Sequence, residues 1–116
     1  MKKDEFVFIE HMSNSIKNIE QFVKGVSKDK FEKDIEKQYA VIRAIEIIGE
    51  AVKNISPAFR KKYPKIPWAK IAGMRDRLIH HYFGVRLDRV WEVVKEDIPE
   101  LKKQIQEILE SLDKIA

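Results

Sequence analysis

The chain has 116 residues, enough for one domain with a modest core. Charged residues make up 36 %, mostly Lys and Glu interleaved at helical spacing, and the net charge is +4. No cysteine is present, which excludes disulfides, thiolate nucleophiles and thiolate metal sites.

Met1 to Glu5 lead straight into a periodic segment with no long apolar run. Neither a signal peptide nor a membrane span is therefore expected, and a cytoplasmic protein is the default. Phe6, Ile9, Met12, Ile16, Ile19 and Val23 recur every three or four residues. This spacing predicts an amphipathic helix over about 3–25, ended by Gly25 and Ser27. From Asp29 a second periodic run passes through Phe31, Ile35, Tyr39, Ile42, Ile45, Ile48, Val52 and Ile55. It predicts one helix of roughly 26 residues, longer than usual, and so an elongated bundle.

Ser56-Pro57 stops that run, with Pro57 suited to a first helical position. Tyr63-Pro64-Lys65-Ile66-Pro67 reads as a rigid basic connector, because each proline restrains the residue before it. A third helix is expected from Pro67-Trp68 through Arg75-Asp76-Arg77-Leu78-Ile79-His80-His81-Tyr82 to Gly84. A fourth is expected from Leu87-Asp88, capped by Asp88, to Lys114, with Pro99 breaking or bending it after Ile98. No segment alternates as a strand. The expected fold is all-α, an up-and-down bundle of four to five helices.

Positive charge is concentrated. Residues 60–89 hold nine basic side chains (Arg60, Lys61, Lys62, Lys65, Lys70, Arg75, Arg77, Arg86, Arg89) and two acidic ones (Asp76, Asp88), an excess of +7. The remainder of the chain is net −3. Such a region attracts a polyanion, although a basic loop and helix surface without a partner would read the same way.

On a helical wheel with Trp68 at zero, Ile71, Ala72, Ile79 and Tyr82 fall within about 60° and mark the buried face. Arg75 falls at about −20°, inside that stripe. A guanidinium there needs an acid, a second subunit or a ligand phosphate. A core ion pair with Glu46 or Glu50 is one reading, and an Arg at a subunit seam reaching into a shared cleft is another. His80 lies at about 120° and Asp76 at about 80°, so the Asp76 carboxylate is placed to orient the imidazole. Arg75 and His80 are then about 140° apart. Either the long Arg side chain bends round, or a second copy approaches across a two-fold axis, which predicts a homodimer. Arg77 with His81, on the opposite side, is a weaker alternative pair because nothing apolar shields it. Tyr82 reads equally as an amphipathic core residue with a satisfied hydroxyl. His11 stands alone on the first helix. Three histidines without HxxxH spacing argue against a zinc centre, and no Gly-rich phosphate loop occurs among four glycines.

Taken together, the chain resembles the HepT-like toxins of the HEPN (higher eukaryote and prokaryote nucleotide-binding) superfamily. The resemblance rests on Arg75, His80 and Tyr82 in an R-x4-H-x-Y pattern with the polar Asp76 after the arginine. Ala44-Ile45-Glu46-Ile47-Ile48-Gly49-Glu50-Ala51, Trp68, Ile71, Trp91 and Pro99 carry it along most of the chain. It implies one HEPN-like helical domain over 1–116 and an endoribonuclease toxin of a toxin–antitoxin pair. It also implies a homodimer whose Arg/His motifs line one interface cleft, acting on RNA rather than DNA without a metal or other cofactor. The implied catalytic pair is Arg75 and His80, supported by Asp76, with Lys61, Lys62, Lys65 and Arg77 as candidate contacts to flanking phosphates. The implied partner is a minimal nucleotidyltransferase antitoxin that attaches adenylates to the motif tyrosine, here Tyr82. The alternative is a non-catalytic helical dimer that binds a nucleotide or that nucleotidyltransferase, with Arg75 and His80 as phosphate ligands only.

Overall fold

A computed structural model describes the backbone at residues 3–80 and 84–115, and side chains at 5–76, 78 and 86–112. The fold is all-α. Its long helices are α1 (Lys3–Val23), α3 (Ile35–Lys53) and α8 (Ile98–Ile115). The shorter ones are α2 (Lys28–Lys33), α4 (Pro57–Lys62), α5 (Trp68–Ala72), α6 (Met74–Leu78) and α7 (Leu87–Glu92). The extents are 45 × 31 × 21 Å. Among the described residues, no helix is long and apolar enough to cross a membrane.

The first helix follows its apolar spacing closely. Ile9, Met12, Ile16 and Ile19 are completely buried, and their stripe packs on α3 and α8. Each such side chain contributes about 1.5–3 kcal/mol by leaving water. Gly25, at φ 70°, supplies the left-handed turn that ends the helix. On the far side, Val41, Ala44, Ile45, Ile48, Ala51 and Val52 form the buried stripe of α3. The buried residues of all the long helices join in one continuous cluster that also takes in Phe31, Phe59, Trp68, Leu78 and Val90.

The expected 26-residue second helix is two helices. Asp34 (φ −111°, ψ 93°) interrupts it, closing α2 and opening α3. Its carboxylate accepts the Lys37 backbone N–H at 3.1 Å, so the cap satisfies a donor that an unbroken helix would have bonded internally. Ser27 caps α2 in the same way. Ile35 and Tyr39, on the expected apolar stripe, are largely exposed beyond the break. Asp34→Ala is expected to cost about 1 kcal/mol and to lower the thermal midpoint by about 3–6 °C in a calorimetric melt.

Ser56 and Pro57 start α4 as expected, with Ser56 Oγ accepting the Phe59 N–H at 3.1 Å. The buried Glu5 on α1 accepts the Ser56 N–H at 3.3 Å and ties the first helix to this corner. The proline-bounded connector then leads to Trp68. The Trp68 indole N–H donates to the carbonyls of Tyr63 at 3.1 Å and Arg60 at 3.3 Å, locking α5 against α4.

The final helical path starts at Leu87 as expected, but Asp88 does not cap it. Arg86 is the cap residue, and its guanidinium grips the Asp88 carboxylate at 3.0 and 3.3 Å. That hydrogen-bonded cation holds the Asp88 carboxyl below its ordinary range. Pro99 does not stop the path, which continues as α8. The irregularity lies before it, as a π-turn over Val93–Asp97 in which the Ile98 N–H reaches the Val93 carbonyl. Proline lacks an N–H and clashes with the carbonyl four residues back, and a widened turn on its N-terminal side accommodates both.

Candidate active site

The Arg/His segment is not one helix. Gly73 (φ −90°, ψ 5°) ends α5, and α6 begins at once with Met74. This break changes which residues face the core. Met74 and Leu78, four apart, are buried at 2 % and 0 % exposure, whereas the Arg75 side chain is 50 % exposed. The stripe through Trp68 and Ile71 therefore does not continue through Arg75. Helix α6 ends at Leu78, and Ile79–His80 form a short strand β1 that pairs antiparallel with β2 (Gly84–Val85), His80 opposite Gly84. The Arg86 N–H donates to the Leu78 carbonyl at 2.8 Å and closes the base of this hairpin.

Arg75 finds its acid on α3. Its Nε lies 3.4 Å from Glu46 Oε2, and its Nη1 lies 4.0 Å from Asp76 Oδ1. The Glu46 pairing matches one of the readings from sequence, but at the surface rather than in the core. Glu46 Oε2 also lies 3.7 Å from Arg43 Nη1, which reaches Glu50 Oε1 at 3.5 Å. Beside this chain of charges is a hollow of about 230 Å³ lined by Glu46, Gly49, Glu50, Lys53, Ala72 and Arg75. Gly49 lines it where α3 meets α5: a Cβ there would lie in ordinary contact, 3.4 Å from the Ala72 carbonyl oxygen and 3.7 Å from that of Ile71. Helices α5 and α6 both pack on α3, and this brings Arg75 within reach of Glu46.

Of the residues singled out in the sequence, Arg75 and Asp76 sit together on α6, both exposed. Because that helix ends at Leu78, the i and i+4 relation expected between Asp76 and His80 does not hold within it, and Asp76 lies beside Arg75 instead. The backbone of His80 lies in β1, two residues past the helix. The side chains of Arg77 and His80, and His81 and Tyr82 altogether, lie outside the described residues. Lys61 and Lys62 are exposed on α4, and Lys65 is exposed in the connector. Lys62 and Lys65 line a different hollow, with Gln104 and Glu107 of α8.

The cation that shares Arg75's hollow is Lys53, which the sequence reading did not pick out. Its signal was available: Glu46, Gly49, Glu50 and Lys53 recur at i, i+3, i+4 and i+7, a polar face with a glycine at its centre. Among the described residues, no three His, Asp or Glu side chains converge as a metal centre would require. The hollow sets a half-exposed guanidinium and a second cation, Lys53, among two carboxylates, Glu46 at the guanidinium's flank and Glu50. Such a group can take up a phosphate oxygen through two parallel N–H donors.

Comparison with known proteins bears on this geometry. Residues 12–108 match the family model described as "Ribonuclease HepT-like". The chain is 52 % identical over 114 residues to a Methanocaldococcus jannaschii protein named "Gamma-glutamylcyclotransferase and putative RNase". That match covers 98 % of this chain but 51 % of the relative, so the chain spans about half of that protein's length. It is 48 % identical over 103 residues to a "Putative RNase" of Caldanaerobacter subterraneus subsp. tengcongensis, covering 89 % of this chain and 92 % of that one. A "Probable ribonuclease HepT" of Thermococcus cleftensis is 45 % identical over 108 residues, covering 93 % and 98 %. No solved structure gives a significant match.

Proposed function

Because this chain belongs to the HepT-like ribonuclease family, we propose that it is a metal-independent endoribonuclease, the toxin of a toxin–antitoxin pair acting in the cytoplasm. The observation that carries the reading is the half-exposed Arg75 guanidinium at the rim of a hollow, five residues before His80 on a short hairpin strand.

In the proposed reaction a ribose 2′-OH attacks the adjacent phosphorus and expels the 5′-oxygen of the next nucleotide. The products are a 2′,3′-cyclic phosphate and a 5′-hydroxyl. His80 takes the proton from the 2′-OH or delivers one to the leaving oxygen, and an imidazole with an unperturbed pKa of about 6.5 suits either task. Arg75 stabilises the charge that grows on the non-bridging oxygens, where two donors in a fixed fork act most strongly. Asp76, beside Arg75 and ahead of His80, supports the pair. Lys61, Lys62, Lys65 and Arg77 hold flanking phosphates as point charges. Two copies of the chain bring two such segments to one cleft at a homodimer interface. A partner nucleotidyltransferase antitoxin silences the enzyme by adenylating Tyr82, which fills the cleft and adds negative charge against RNA.

The test is a gel assay of wild type and His80→Ala on total tRNA and an mRNA in EDTA, with the wild type confirmed by mass to carry no adenylate. Cleavage by the wild type alone, with cyclic-phosphate ends, is the expected result. Equal cleavage by His80→Ala would remove the imidazole from the mechanism and point to His81 or a contaminant. No cleavage by either would favour the non-catalytic binding dimer.

A further inference from the structure

We infer that Glu46 is a positioning residue: it sets the orientation of the Arg75 guanidinium in which the terminal nitrogens meet the phosphate. The inference rests on the reading of Arg75 as the phosphate-facing cation and assigns a further residue to that site.

Arg75 poses a problem of placement. It stands on a helix of five residues, with its side chain half in solvent. A long flexible side chain in that setting samples many rotamers, and a transition state rewards only the one that is already aimed. The neighbouring acid on its own helix, Asp76, is 79 % exposed and 4.0 Å away, too loose to fix it. Glu46 is different. It projects from α3, whose Ala44, Ile45 and Ile48 are buried beside it, and its side chain is only 26 % exposed.

The closest approach between the two side chains is through the Arg75 Nε, at 3.4 Å from Glu46 Oε2. A guanidinium gripped at this flank keeps its opposite edge for a second, bidentate partner. The same carboxylate oxygen also lies 3.7 Å from the exposed Arg43, three residues earlier on α3. Three residues later, Gly49 lines the same hollow at the contact between α3 and α5. Glu46 and its neighbour Arg43 thus stand three residues apart on one helix, facing Arg75.

A rival account makes Glu46 a competitor that occupies Arg75 until RNA displaces it. The two accounts differ in sign. Removing a competitor tightens substrate binding, whereas removing a positioner lowers turnover.

The experiment measures kcat, KM and thermal midpoint for wild type, Glu46→Ala, Glu46→Gln, Glu46→Asp and Arg75→Ala on one defined RNA. The expected result is a kcat for Glu46→Ala lower by about tenfold or more, with KM within about twofold. Part of the loss should return in Glu46→Gln, which keeps the acceptor, and in Glu46→Asp, which keeps the charge. The midpoint should move by no more than about 3 °C, because a partly exposed ion pair holds little of the fold together. An unchanged kcat in Glu46→Ala, or a lower KM, overturns the inference while leaving the ribonuclease reading intact if Arg75→Ala is inactive. A wild type that cleaves nothing overturns both.

Discussion

Arg75→Ala should lose RNA cleavage by about 10²–10³-fold, while its thermal midpoint stays within a few degrees of wild type. The asymmetry follows from where the guanidinium sits. A half-exposed ion pair with Glu46 is screened by water and contributes at most about 1 kcal/mol to folding. The same guanidinium facing a phosphate in the transition state acts on charge that the ground state does not carry in full. Arg75→Lys should recover only part of the activity, because an ammonium retains the charge but not the two parallel donors. Parallel activity and melting measurements on the two variants decide the matter. A large loss of stability with no activity to lose would instead identify a structural ion pair.

Leu78→Ala should have the largest effect on stability in this region, about 2–5 kcal/mol, and a midpoint lower by about 10 °C or more. Leu78 is completely buried, and its carbonyl accepts the Arg86 N–H that closes the hairpin. It is also the last residue of the helix that carries Arg75. With only five residues, that helix gains little from its own hydrogen bonds and depends on Met74 and Leu78 as anchors. Cleavage by the variant should therefore fall even at temperatures where most of it is folded. A Leu78→Ala protein within about 1 kcal/mol of wild type in a denaturant titration would show that the anchor is not where the structure places it.

The sequence was most legible where local chemistry and tertiary packing agree. The apolar spacing of α1, the left-handed Gly25, the Ser56-Pro57 start and the entry at Trp68 all carry their own signals. It was least legible at two breaks. At Asp34 the apolar residues Phe31, Ile35 and Tyr39 keep helical spacing across the interruption, so periodicity ran on while a side-chain cap had already ended the first helix. At Gly73 the break turns the wheel itself. Arg75 fell on the buried stripe only because one continuous helix was assumed, and Met74 and Leu78 took the buried positions instead. The Glu46 partner was readable from the need of a cation for an acid. Lys53 shares a polar face with Glu46 and Glu50 that the sequence does display. That this face meets Arg75 depends on how α5 and α6 pack on α3, which no local pattern encodes.

The π-turn at Val93–Asp97 has a consequence for how this chain can diverge. Val90, Val93, Val94, Ile98, Leu101, Ile105 and Ile108 form one unbroken apolar ladder in the sequence, yet they serve two different audiences. Before the turn the path packs on α2, α3 and α6, beneath the Arg75 segment; after it, α8 packs on α1. The wider turn lies where the ladder passes from one set of neighbours to the other. In a lineage of such proteins, losing or gaining one residue between 93 and 97 would alter the aim of the last helix more than its length. Such a change would reach the site itself, because Glu100, Leu101 and Gln104 of α8 line a hollow with Ile71 and Met74.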